Sequence, residues 1–378
     1  MEKIKIGVIF GGRSGEHEVS IRSAQTVIEQ IDREKFEVVP VAITKKGRWL
    51  NPSESLTLLP ESVRGSFDQT SESFRSGAKI ALLGDTEYQG LTRLESSEAE
   101  KNFATLDVVF PVLHGTFGED GTIQGLFEMA NIPYVGCGVL ASSCGMDKVV
   151  MKTLFSNAEL PICEYVWFLR NEWERESEAV IDRIKAKLGF PCFVKPANLG
   201  SSVGVSKASD KESLQKAINH AAEYDRKIIV EEGLDAREIE CAVIGNDEAK
   251  ASLPGEYIIL DESKKFLDYT EKYTGTGNNE FVVPARISTE LSEQIQQMAV
   301  KSFRAIDGAG LARVDFFLRN DTGALLINEI NTMPGMTQTS GFPKMWKKTG
   351  TEFSKVIEIL VEAAFERHKD KARNKTIK

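Results

Sequence analysis

The chain is poor in cysteine and histidine, has no excess of positive charge and carries no long apolar run. Its five cysteines among 378 residues, Cys137, Cys144, Cys163, Cys192 and Cys241, are scattered, odd in number and mostly set among apolar neighbours. That pattern excludes a disulfide framework and a cysteine zinc site, and reads as reduced core thiols. The four histidines form no His-x-His or His-x3-His pair, which removes a histidine metal centre. A formal net charge of -9 and a pI near 5.3 argue against a phosphate-backbone binder, so nucleic acid is not an expected partner. No apolar stretch suffices to span a bilayer, and Met1 leads directly into a charged strand without a signal peptide's apolar core. The expectation is a cytoplasmic chain with no membrane contact.

What is present is globular material: 41% hydrophobic and 27% charged residues, in a chain long enough for two or three domains. Three blocks are expected, at 1–136, 137–235 and 236–378. The first opens with a strand over 4–10, a glycine-rich turn, a helix over 18–31 and a strand over 36–42. This β-α-β order implies a mostly parallel sheet. A Ser-rich stretch over 51–76 reads as a surface excursion. The second block reads as a small α+β unit, with strands over 165–169, 192–195, 203–206 and 227–232 and helices over 147–157, 172–188 and 211–224. The third holds helices over 289–305 and 353–368. An aperiodic segment over 260–283 reads as a long loop of the kind that serves as a lid.

Within the third block, Arg313-Val314-Asp315 and Glu329-Ile330-Asn331 each place two polar residues on one face of a strand. Asp321-Thr322-Gly323 can close a three-residue hairpin with Gly323 left-handed. Asp315 then lies opposite Glu329, and Arg313 opposite Asn331. Left unpaired among apolar flanks, these groups would cost several kcal/mol each. Hard oxygen ligands from Asp315, Glu329 and Asn331 suit Mg²⁺ carrying waters and substrate phosphates. The alternative is an Arg–carboxylate network on a solvated sheet face.

Other segments have phosphate or substrate chemistry. Gly200-Ser201-Ser202-Val203-Gly204 lies between two strands just after Lys195, where freed N–H groups and hydroxyls can surround phosphates; an ordinary tight turn is the alternative. It lacks the Walker A order. Gly11-Gly12-Arg13-Ser14-Gly15-Glu16 opens a helix, so its amides could take a carboxylate while Glu16 takes an ammonium, or the glycines serve only the turn. His114 follows a buried strand at a candidate site edge, with a satisfied core imidazole as the alternative. Glu119 and Asp120 read equally as helix-start residues.

These segments, in this order, resemble the ATP-grasp superfamily and within it the D-alanine–D-alanine ligase family. The resemblance spans nearly the whole chain: 11–20, His114-Gly115, Gly118-Glu119-Asp120-Gly121, Met146-Asp147-Lys148, Val194-Lys195-Pro196, 200–204, Arg313-Val314-Asp315 and 328–337. It implies an ATP-grasp fold of three domains, α/β and α+β, with an amino-terminal parallel-sheet domain and ATP between the central and carboxy-terminal domains. It further implies ATP-dependent joining of two D-alanines through a D-alanyl phosphate, for peptidoglycan precursors. D-serine or D-lactate as acceptor is the alternative.

By the same resemblance, Lys148, Lys195, Ser201, Ser202 and Lys272 meet the phosphates, Glu231 and Leu234 the adenine, and Glu238 the ribose. Asp315, Glu329 and Asn331 match ligands of two Mg²⁺ ions, with Mn²⁺ as a substitute. Glu16 and His114 hold the first D-alanine, and Ser340 with Gly335 the second. Arg313, helped by the Gly310 backbone, neutralises the transferring phosphate. Ser201 links Glu16 to Tyr273 of the lid, and Tyr273 matches the dipeptide-forming type. A homodimer is implied as well.

Overall fold

The structure, a computed structural model, describes residues 2–68, 74, 78–94, 102–259 and 279–375. Lys272 and Tyr273 lie outside the described residues, as does most of the expected 260–283 loop.

The first block begins β1 (Ile4–Gly11), α1 (His17–Gln30), β2 (Phe36–Ile43), β3 (Trp49–Leu50), α2 (Pro52–Leu56) and α3 (Glu61–Arg64). Strands β4 (Ile80–Leu82), β5 (Gly90–Arg93) and β6 (Asn102–Thr105) make a small antiparallel sheet, and β7 (Val108–Val112) rejoins the first. In the order β3-β2-β1-β7, strands β2, β1 and β7 are parallel, as the β-α-β reading requires. Both faces are covered. Ile6, Val8 and Phe10 enter one core while Ile9, Val39 and Val41 enter another, which is why these strands read as unbroken apolar runs.

The expectation of a surface excursion over 51–76 is corrected where that segment is described. Asn51 caps α2 in a reciprocal box with Glu54, and Leu56, Leu59, Val63 and Phe74 are buried in the same core as β1. Its serines do internal work: the Ser55 hydroxyl donates to the Leu50 carbonyl and accepts the Ala42 N–H. Composition suggested polarity, but a few apolar residues spaced along two short helices suffice to pin the segment down.

Three helices follow, α4 (Thr122–Met129), α5 (Val139–Met146) and α6 (Lys148–Asn157). Asp147 ends one and starts the next: its carboxylate accepts from the N–H groups of Val149 and Val150, both at 3.1 Å. The central sheet comprises β8 (Tyr165–Leu169), β9 (Cys192–Pro196), β10 (Ser206–Ala208) and β11 (Lys227–Glu232), in the antiparallel order β10-β9-β11-β8. Helices α7 (Arg170–Lys187) and α8 (Lys211–Tyr224) bury Val180, Ile181, Ile184, Leu214 and Ile218 in this sheet's core.

The last block contains β12 (Ala236–Gly245), β13 (Lys250–Ala251), β14 (Gly255–Ile259), β15 (Asn279–Val282), α9 (Thr289–Ala305), β16 (Gly310–Arg319), β17 (Leu325–Asn331), α10 (Gly341–Lys348) and α11 (Phe353–Lys371). Its antiparallel sheet runs β15-β14-β12-β16-β17. One face of it, Ile239, Cys241, Val243, Val314 and Phe316, packs with Ile295, Ala299 and Phe303 of α9. Helix α11 crosses back to the beginning of the chain. Its Val356, Ile357, Leu360 and Val361 share the core of Ile6 and Val8, and Arg367 donates to the carbonyls of Tyr134 and Gly136. No helix among the described residues is long and apolar enough to cross a membrane.

Candidate active site

The polar face of β16 and β17 has the expected register, reached by two cancelling departures. Arg313 pairs with Asn331 and Asp315 with Glu329, but Phe316 pairs with Ile327, so a bulge falls at Asn328. The hairpin closes between Arg319 and Ala324, whose N–H and C=O bond at 3.0 Å, and its loop therefore has four residues, not three. Gly323 is left-handed at φ +69°, as the turn needs. The longer loop shifts the pairing by one and the bulge shifts it back.

Arg313 and Asp315 form a fork, with Nε on Oδ1 and Nη2 on Oδ2, both 2.6 Å. Arg313 Nε also lies 3.3 Å from Oε1 of Glu240, a buried residue on β12 directly across from Asp315. Sequence reading missed Glu240; the signal available was its even spacing from Glu238 on one strand face. Lys148 Nζ lies 3.6 Å from Glu329 and donates to the Leu199 carbonyl at 2.7 Å, joining α6 to the metal-ligand candidates and to the glycine loop.

Asp315, Glu329 and Asn331 offer hard oxygens on adjacent positions of paired strands. Asp315 accepts from Arg313 on both oxygens, and Asn331 Oδ1 accepts the Met333 N–H at 3.0 Å. The donor set fits a divalent ion that retains waters and phosphate oxygens. Among the described residues no group of three or more His, Cys, Asp or Glu side chains is disposed to hold a metal.

A second cluster sits beneath the glycine loop. Glu231, 3% exposed, receives Lys195 on Oε2 at 2.6 Å and Lys152 on Oε1 at 3.0 Å. Burial disfavours its charge, but the two lysines outweigh that and hold its carboxyl at about 2. The same carboxylate drives the Lys152 ammonium well above its usual range despite complete burial. The Glu231 side chain thus faces the two lysines. Next to it, Phe193, Leu234, Glu238 and Tyr257 help line a cleft of about 860 Å³ between the central and carboxy-terminal sheets.

The third cluster joins the two ends of the site. The Ser201 hydroxyl donates to Glu16, tying the glycine loop to the turn after β1. Ser201 and Ser202 are both left-handed, at φ +53° and +56°, a strained pair of non-glycine residues at the loop tip. Burial, and then repulsion from Glu119, raises the Glu16 carboxyl above its ordinary value. His114, 3% exposed, donates through Nδ1 to the Met333 carbonyl at 3.0 Å and meets the Ser23 hydroxyl at 2.9 Å with Nε2. Burial opposes its charge, but Glu119 at 3.5 Å raises its pKa overall. His114 therefore has structural partners as well as a place beside Glu16.

Glu119 is not a helix-start residue. It accepts the Gly115 N–H at 3.0 Å, while α4 begins only after a left-handed Gly121. Gly115, at φ +73°, lies where a Cβ would come 2.5 Å from Glu16 Oε2, so its absence makes room for that carboxylate. Ser340 stands at the N-terminus of α10, where its hydroxyl accepts the Thr337 N–H at 3.1 Å, and Gly335 lies against it. The Gly310 amide, expected to act beside Arg313, has a partner elsewhere. That N–H goes to Asn246 Oδ1 at 3.2 Å, and a Cβ there would meet the Gly136 backbone at 2.9 Å. The clusters are continuous through His114, Met333 and Asn331.

Known proteins resemble this chain in both sequence and fold. The family profiles described as D-ala D-ala ligase N-terminus and D-ala D-ala ligase C-terminus match residues 5–137 and 154–362. The chain is 46% identical over 376 residues to D-alanine--D-alanine ligase of Heliobacterium modesticaldum, covering 100% of this chain and 98% of that one. It is 49% identical over 367 residues to the same-named protein of Bacillus velezensis, covering 96% and 98%. Among solved structures, VanG D-Ala:D-Ser ligase from Enterococcus faecalis has a TM-score of 0.81 at 37% identity, with 96% of this chain and 100% of that one covered. The D-alanine-D-alanine ligase from Coxiella burnetii gives 0.81 at 32%, covering 99% and 97%. The chain belongs to the D-alanine–D-alanine ligase family of the ATP-grasp superfamily.

Proposed function

We propose that the chain joins two D-alanines at the expense of ATP, giving D-alanyl-D-alanine, ADP and phosphate for peptidoglycan precursors. The observation that carries this reading is the Ser201–Glu16 hydrogen bond, which sets a phosphate loop against an ammonium-binding carboxylate. Nucleotide occupies the cleft beside Leu234 and Glu238, with its phosphates toward Lys148, Lys195, Ser201 and Ser202. Glu231 and the Leu234 main chain meet the base, and Glu238 the ribose. Asp315, Glu329 and Asn331 hold Mg²⁺, two ions with Mn²⁺ as a substitute, which neutralise phosphate charge when bound.

Glu16 holds the first D-alanine by its ammonium, with its carboxylate toward His114 and Arg313. That carboxylate takes the γ-phosphoryl group, forming a C–O–P linkage as the bond to ADP breaks. Arg313 offsets the charge on the transferring group. Ser340 and Gly335 place the second D-alanine by its carboxylate. Its uncharged amine then attacks the acyl carbon, and the resulting tetrahedral species expels phosphate. Positioning and charge neutralisation carry the chemistry, and no protein nucleophile is required. By sequence, Lys272 and Tyr273 belong to the segment that completes the site. The three blocks divide at 136 and 235. The protein works in the cytoplasm as a homodimer.

Curated relatives at 45–49% identity carry the dipeptide-ligase name, whereas the D-Ala:D-Ser neighbour stands at 37%. D-serine and D-lactate are accordingly disfavoured as acceptors. Phosphate release with ATP, Mg²⁺ and a panel of D-amino and D-hydroxy acids, with products identified by mass, tests the reading. D-alanyl-D-alanine should dominate at neutral pH. Faster formation of D-alanyl-D-lactate or D-alanyl-D-serine would overturn it.

A further inference from the structure

Lys152 is completely buried, and nothing in the sequence motifs singles it out. Three acceptors surround its ammonium: Glu231 Oε1 at 3.0 Å, the Asn328 carbonyl at 3.3 Å and Cys163 Sγ at 3.3 Å. Two of these are hydrogen bonds, to Asn328 and Cys163, and the third is an ion pair with Glu231, so the group is held from three sides. Lys195 differs. It meets the same carboxylate through the other oxygen, at 2.6 Å, and its side chain retains 12% exposure. Strand β9 carries it directly into the 200–204 loop.

Two lysines thus share one buried carboxylate. A single lysine would make a neutral pair, and moving it toward another anion would leave Glu231 ionised and unpartnered in the interior, a costly state. With Lys152 fixed on Oε1, Glu231 keeps a counter-ion whatever Lys195 does. The cluster also carries one positive charge in excess, which a polyphosphate relieves. We propose that Lys152 is a positioning residue for nucleotide binding: by holding Glu231 permanently, it frees Lys195 and its charge for the phosphates. This rests on the reading of Lys195 as a phosphate ligand, and assigns the control of that ligand to a residue that touches no substrate.

The test compares binding of MgADP and adenosine by calorimetry to the full chain, to Lys152→Met, to Glu231→Gln and to the double variant. Lys152→Met keeps the apolar stem but removes the charge, locking Lys195 onto Glu231. MgADP should bind about tenfold or more weakly while adenosine changes less than about threefold. Adding Glu231→Gln should restore MgADP binding to within about threefold of the parent, because Lys195 is again released. Equal loss of adenosine and MgADP, unchanged MgADP binding, or no recovery in the double variant would overturn the proposal. Should Lys152→Met fail to fold, the double variant decides alone: MgADP binding within about threefold of the parent supports the role, and a tenfold loss overturns it. A parent chain that binds neither ligand would overturn the ligase reading instead.

Discussion

Arg313 grips Asp315 two residues along the same strand, with Nε and Nη2 each 2.6 Å from a different carboxylate oxygen. The fork fixes the plane of the guanidinium. Lysine cannot reproduce this, because its ammonium is a point charge on a flexible stem. Arg313→Lys should lower D-alanine-dependent phosphate release by about 10²–10³-fold, the usual scale for losing one oriented donor. Binding of MgADP should change by less than about threefold. Steady-state phosphate assays and calorimetry measure the two quantities, and a variant with parental turnover would remove Arg313 from the chemistry.

Burial and the neighbouring Glu119 disfavour the charged form of Glu16. Its carboxyl is raised above the ordinary 4.5 by burial and by Glu119, so the folded state binds more protons than the unfolded state between 4.5 and the raised value. Stability therefore falls as pH rises through that window. Glu16→Gln should raise the thermal unfolding midpoint at pH 7.5, with the gain shrinking toward pH 5. The KM for the first D-alanine should rise about 10–100-fold, as expected for losing a charged hydrogen bond. Thermal scans at several pH values and initial-rate kinetics check both halves.

The opposite sign applies to Glu231. Its folded carboxyl is depressed from 4.5 to about 2, chiefly by Lys152 and Lys195 working against burial. The resulting stabilisation is fully present above 4.5 and drains away as pH falls toward 2. Urea unfolding between pH 7 and pH 3 should show a steep acid loss in the parent chain. Glu231→Gln should be less stable at pH 7 and should flatten that limb. Parallel curves for the two proteins would contradict the assignment.

The segment after β3 should behave as core. Leu56 is 2% exposed and packs with Leu59, Val63 and the β1 side chains. Leu56→Ala should cost about 2–4 kcal/mol in chemical denaturation, with kcat changed less than twofold. A cost near zero would return this segment to the surface.

The parallel strands of the first block, the longer helices and the Arg313–Asp315–Glu329–Asn331 face were legible because they rest on local periodicity; the strands of 236–259 were not read, and the strand expected over 203–206 begins only at Ser206. The register was legible too, though its expected cause was incomplete: a four-residue loop and a bulge at Asn328 cancel, and neither leaves a compositional trace. What escaped depends on contacts distant in sequence. Glu240 matters because β12 lies beside β16, Lys152 because α6 faces β11, and Glu119 because the 114–121 turn folds back on itself. A charged residue on a helix normally reads as solvated, and only the packing shows that Lys152 is dry. Gly310 shows the converse: its neighbour in the sequence suggested catalysis, while its neighbour in space, Gly136, explains it as close packing.

Helix α11 packs Val356, Ile357, Leu360 and Val361 against the sheet that contains the first strand of the chain. During synthesis, the amino-terminal block emerges early but lacks one wall of its own interior until the final helix clears the ribosome. The ordinary sequence of maturation, in which the first block completes before the last is made, is therefore closed to this topology. Its opening strands must wait, with part of an apolar face uncovered, for the last turns of the polypeptide, and a chain truncated before residue 353 forfeits the integrity of its beginning, not just its end.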